Sequence, residues 1–224
     1  VWTMGSGGFS LMASSWQESG CPDTHRRQVR PDDRAEHDHD HDHDHDQATM
    51  SDHVPIADEF LAANRTFAVD FPDAGLQVEP TRHVAVVACM CSRMDMFQLL
   101  GLGHGQAHVI RNAGGVITDD VIRSLCLSQR FLKTREIVLV HHTDCGLERV
   151  TEDSFRSELQ KELGVTPPWV VEAFTDPHAS VHQSMQRLHL SPFLPYKDHI
   201  RGFVYCVTTG LLDEVTIEPA ETVG

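Results

Sequence analysis

The chain contains no long apolar run. Nowhere in its 224 residues does a stretch approach the roughly 18–20 apolar residues that a bilayer-spanning helix requires. Basic residues are scarce: 18 Lys and Arg stand against 33 Asp and Glu, for a formal charge of −15. Nucleic-acid binding and attraction to an anionic membrane surface both depend on positive charge, so neither is expected. A disulfide framework is also missing. The cysteines at 21, 89, 91, 126, 145 and 206 follow no regular spacing, and Cys126 and Cys206 lie within apolar segments. Reduced thiols in a reducing compartment are expected. The first residues carry neither the basic stretch nor the compact apolar run of a secretion signal, and a cytoplasmic location is the expectation.

What is present divides unevenly. Residues 1–50 hold ten acidic and four basic side chains, so −6 of the −15 lies there. Glycine and serine come first, and an alternating His-Asp repeat runs from His37 to Asp46. Such a segment cannot bury apolar surface, and a disordered, low-complexity N-terminal extension is expected over 1–50. Its imidazoles and carboxylates would hold extra zinc, nickel or copper ions weakly and without fixed geometry, or else the repeat is an inert insertion. Met50 stands at the boundary as an alternative start. One folded domain is expected over 51–219, followed by a short tail over 220–224.

Within that domain, apolar periodicity switches repeatedly between the strand and helix periods. "IADEFLAANRTFA" predicts a leading helix with Ile56, Phe60 and Ala63 on one face. "HVAVVACM", "AHVIRN", "EIVLVHH", "RGFVYCV" and "LDEVTI" predict strands, the first and third apolar enough to be buried on both faces. Thr118 caps a predicted helix whose buried positions include Val121, Leu125 and Leu132. Phe155, Leu159 and Leu163 mark another helix. Asp176 and Pro177 start a further one that buries Val181, Met185 and Leu188. The fold class is therefore α/β, a mainly parallel sheet flanked by helices. Ligands on such sheets bind beyond the carboxyl ends of the strands, where Cys89, Gly114 and His142 all fall.

Cys89 ends one predicted strand, and His142 with Cys145 ends another as H-x-x-C. Two thiolates and an imidazole suit tetrahedral zinc, and three protein ligands leave one position for water. On spacing alone, the alternative is a pair of ordinary buried thiols and a satisfied core histidine.

Three longer segments decide between these. "ACMCSRMD", "GQAHVIRNAGGVITDDVIRSLCLSQRFLKTREIVLVHHTDCGL" and "RGFVYCVTTGLLDEV" resemble the β-class carbonic anhydrases, in their short bacterial branch, over roughly Asp52 to Thr216. The resemblance implies a Rossmann-like α/β domain, one Zn2+ per subunit, and a homodimer or higher homo-oligomer. It implies reversible hydration of carbon dioxide to bicarbonate. Residue by residue, it implies that Cys89, His142 and Cys145 are the metal ligands and that Arg93 is the arginine of the family's Asp-Arg dyad. It further implies that Arg111 to Gly115, with Asn112, Ala113, Gly114 and Gly115, form the loop closing the substrate pocket.

One position departs from the pattern. The family motif reads Cys-x-Asp-x-Arg, and this chain has Cys89-Met90-Cys91-Ser92-Arg93. Cys91 stands where the resemblance places the aspartate that orients zinc-bound water. Three outcomes are open. Cys91 is a fourth ligand closing a silent Cys3His site; or it is a thiol beside an open but impaired site; or with Arg93 it serves a related heterocumulene, carbonyl sulfide or carbon disulfide. Arg93, deprived of its motif carboxylate, is expected to pair with Cys91, with Asp95 or with a residue of another subunit.

Overall fold

The computed structural model describes residues 55–216. The His37–Asp46 repeat and its expected metal ions lie outside them. Ten main elements follow one another: α1 (Ala57–Ala68), β1 (Val84–Cys89), α2 (Met96–Leu100), β2 (Ala107–Asn112), α3 (Asp119–Phe131), β3 (Glu136–His142), α4 (Glu152–Leu163), α5 (Pro177–Leu190), β4 (Ile200–Tyr205) and β5 (Leu212–Val215). The five strands form one sheet in the order β2-β1-β3-β4-β5. All pairings are parallel except β4 with β5. Among the described residues, no helix is long and apolar enough to cross a membrane.

Side-chain alternation along β1 divides the core into two layers. Ala85 and Val87 pack with Ile137, Leu139 and the apolar stripes of α3 and α5, namely Val121, Leu125, Val181, Met185 and Leu188. Val86 and Ala88 point the other way, into a cluster with Met94, Met96 and Val140. Helix α5 lies so close to β4 that a Cβ at Gly202 would come within 2.3 Å of Val181 and 2.7 Å of the Met185 sulfur. Local chemistry sets the helix starts. Thr118 accepts from the Val121 amide, and Asp176 accepts from His178 N with Pro177 in the first turn.

Several expectations need correction. Helix α1 forms, but it buries no residue in its own domain. Leu132, expected to be buried, is half-buried at the C-cap of α3, and Leu163, in the last turn of α4, is exposed. The five-residue α2 lies below the length at which apolar periodicity is readable; it is fixed by Asp95 at its N-cap and left-handed Gly101 at its C-cap. Cys89, Cys91, Cys126 and Cys145 are free thiols, as expected.

Candidate metal centre

Strands β1 and β3 are neighbours and run parallel, so their C-terminal residues emerge side by side. Cys89 is the last residue of β1 and His142 the last of β3; Cys145 follows three residues later. The intervening turn is pinned from β4 and the loop after it: Thr143 N donates to Tyr205 O at 3.0 Å, and Val207 N donates to Thr143 Oγ1 at 3.2 Å. Asp144 takes a left-handed conformation, φ 56°, that reverses the chain. Cys145 N then donates to Glu148 Oε1 at 3.1 Å. These contacts aim the Cys145 sulfur back at Cys89.

The ligand atoms of Cys89, His142 and Cys145 all lie within 4.8 Å of one another, and all three residues are buried. The two sulfurs are 4.0 Å apart. A tetrahedral zinc with bonds of about 2.3 Å to each sulfur needs them roughly 3.8 Å apart, so the pair is already set at coordination spacing. His142 Nδ1 lies 2.9 Å from Thr143 O, which can only accept, so the proton is on Nδ1. Nε2 is left with its lone pair, buried and with no protein partner. A buried orphan nitrogen beside two converging sulfurs is the donor set a zinc ion satisfies.

The thiols respond to each other. Cys89 accepts a hydrogen bond from Cys145 against the cost of burial, and with His142 nearby its pKa is pulled well below the usual thiol range. Cys145 is pushed up by the same pairing and by burial. For His142, burial opposes the charged form, but the nearby Cys89 sulfur and the Thr143 carbonyl outweigh it and the net shift is upward. One thiolate therefore forms readily in the unliganded cluster, and a cation is needed for the second.

Cys91 is not a member of the gathered group. Its sulfur accepts from Arg93 Nε at 3.1 Å, and although burial resists the anion, this contact lowers the thiol pKa. Arg93 does not pair with Asp95, which is occupied capping α2 through Phe97 N and Gln98 N. Its carboxylate partner is Asp144, at 2.8 Å. Asp144 also receives Arg149, and the two guanidinium groups, Arg149 foremost, hold its pKa below the usual carboxylate range.

The loop Asn112–Gly115 crosses the end of β1. Gly114 and Gly115 adopt φ 78° and 73°, and a Cβ on Gly115 would lie 2.8 Å from Cys89 N and 2.9 Å from the Ala88 carbonyl carbon. Only glycine permits both the conformation and the approach. Asn112 Nδ2 donates to Val116 O, closing the loop at 2.9 Å.

His141 was not expected at the site, and Arg111 was expected there only as the start of the pocket loop. His141 is buried, stacks on Phe174 at 5.7 Å and bonds Gly115 O through Nε2 at 3.0 Å. Arg111 reaches from β2 to the carbonyls of Cys89 and Cys91. Neither shows in ligand spacing, because each acts across strands; the strand-end position of "RN" and the doubled histidine were the available signals.

The carbonic anhydrase family profile matches residues 84–192. Beta-carbonic anhydrase 1 of Mycobacterium tuberculosis is 48% identical over 161 residues, covering 72% of this chain and 98% of that protein. A carbon disulfide hydrolase of Acidithiobacillus thiooxidans is 33% identical over 152 residues, covering 58% of this chain and 76% of the relative. Among solved structures, the carbonic anhydrase of Streptococcus mutans superposes with a TM-score of 0.69 at 41% identity, covering 73% of this chain and 99% of that one.

Proposed function

The chain belongs to the β-carbonic anhydrase family, and from that premise we propose that it hydrates carbon dioxide reversibly to bicarbonate, with one zinc ion per subunit held by Cys89, His142 and Cys145. The carrying observation is the three-ligand cluster at coordination spacing, with Cys91 outside it. Zinc with one open position supplies Lewis acidity and lowers the pKa of water toward 7, which is the chemistry that carbon dioxide hydration needs at neutral pH.

The surrounding residues position this chemistry. Thr143 O fixes the His142 tautomer, so Nε2 is the ligating atom. Arg93 stays charged, places a guanidinium between Cys91 and Asp144, and holds the turn after β1. Gly114 and Gly115 let backbone, not side chain, border the pocket beside Cys89. Cys91 stands where the family carries a carboxylate. A thiol accepts hydrogen bonds weakly, so it would hold a water at this site less firmly than an aspartate would, and lower turnover is expected.

Stopped-flow hydration assays on protein carrying one zinc per chain test this directly. Turnover above buffer supports the reading; turnover at the buffer level overturns it. Zinc X-ray absorption runs alongside, and two sulfurs are expected, while three would identify a closed Cys3His site. Release of sulfide from carbon disulfide or carbonyl sulfide in place of bicarbonate formation would assign the heterocumulene chemistry instead.

The working form is a homodimer or higher homo-oligomer. Helix α1 exposes Phe60 at 63%, Leu61 at 56% and Phe67 at 53%, an apolar face that its own domain does not cover. Large apolar side chains left exposed along one helix mark an interaction surface. Light scattering giving a monomer mass would count against it.

A further inference from the structure

We propose that Arg111 is a positioning residue of the metal centre, a clamp that sets the backbone carrying Cys89 and thereby the affinity for zinc. This rests on Cys89 being a metal ligand. β2 is half-buried along its length except at Arg111, which is exposed. An arginine so placed ordinarily ends in water. This one turns back over the end of β1. Its Nε and NH2 donate to Cys89 O at 2.9 and 2.7 Å, and NH2 donates also to Cys91 O at 2.6 Å.

Register explains why the clamp falls here. Arg111 is paired with Ala88 and Asn112 with Cys89, while the β1–β3 ladder ends at Ala88 opposite Val140. Cys89 therefore leaves the sheet with β2 as its one ladder neighbour, and Met90 N donates to Asn112 O at 2.8 Å. Past that bond the chain turns, and the two carbonyls on either side of Met90 converge on one guanidinium. The planar fork suits two acceptors at once, which an ammonium cannot match. The peptide unit following the ligand is thus held from a second strand.

Electrostatics and positioning predict opposite signs. Removing a cation beside a divalent-ion site tightens binding by simple Coulomb reasoning. Removing a clamp loosens it, and partners beyond the ligands typically contribute about 10–100-fold in metal affinity. Zinc affinity is measured by competition with a chromophoric chelator for the wild-type protein, Arg111→Ala and Arg111→Lys, with absorption of the cobalt-substituted forms. Arg111→Ala is expected to bind zinc about 10–100-fold more weakly and to shift its thiolate-to-cobalt bands. Arg111→Lys, reaching one carbonyl, is expected to fall between, and it also serves if the alanine variant does not fold. Unchanged or tighter binding in both variants overturns the clamp. Failure of the wild-type protein to bind zinc overturns the metal centre and the clamp with it. Zinc bound tightly without carbon dioxide hydration overturns only the proposed activity and leaves the clamp supported if the variants still bind weakly.

Discussion

Arg93 makes two hydrogen bonds to Asp144, one to the carboxylate at 2.8 Å and one to the backbone carbonyl at 2.7 Å. The first residue belongs to the turn after β1 and the second to the turn after β3, so a single side chain ties together the two turns that carry the proposed metal ligands. Both partners are solvent-exposed, so the pair adds little to stability. Its value lies in geometry. Asp144→Asn tolerates the left-handed backbone and removes only the charge. We expect its melting temperature to move little while kcat/KM for hydration falls about tenfold or more. A loss of stability that matched the loss of activity would show that the pair merely holds the fold.

Replacing Cys91 by aspartate supplies a strong acceptor within reach of Arg93 Nε. If orientation of the attacking water limits the reaction, Cys91→Asp raises turnover by about 10²–10³-fold, the scale of one preorganised group. Stopped-flow comparison of the two zinc-loaded proteins measures it. No gain would mean that the thiol is not what limits the rate.

Strand positions were legible because β1 and β3 are short apolar runs rich in β-branched residues. The Cys89-His142-Cys145 cluster was legible because its members stand at strand ends. The family resemblance supplied the roles. Side-chain reach was not legible. That Asp144 and not Asp95 meets Arg93 depends on Asp95 being used up as the cap of α2, and that helix was itself too short to read. The exposure of α1 was equally hidden: its apolar face is real, but periodicity cannot say whether a helix packs on its own domain.

Gly115 is pressed between β1 and His141. A Cβ there meets backbone atoms at 2.8 and 2.9 Å as well as the ring of His141 at 3.2 Å, with φ at 73°. Gly115→Ala is expected to cost about 2–4 kcal/mol, combining left-handed strain with overpacking against atoms that cannot move aside. Gly210 has a similar φ of 75° but nothing within 4 Å, so Gly210→Ala isolates the conformational part at about 1–2 kcal/mol. Chemical denaturation of both variants checks the difference. Equal losses would place the Gly115 loop farther from Cys89 than described.

His141 gives the fold a pH dependence of definite sign. Burial disfavours the imidazolium, the Gly115 carbonyl offsets this only in part, and the pKa falls to about 4 from an ordinary 6.5. Between those values the unfolded chain binds a proton that the folded chain refuses, so stability falls as pH drops from about 6.5 and levels off below about 4. At about 1.4 kcal/mol per unit, the whole span amounts to something on the order of 3 kcal/mol. His141→Gln retains a donor for Gly115 O but cannot titrate. Denaturation of wild-type and variant proteins in metal-free buffer at pH 7.0 and about pH 5 should therefore show a smaller acid-induced loss in the variant. Equal losses in the two proteins would mean that the pKa of His141 in the folded protein is not depressed.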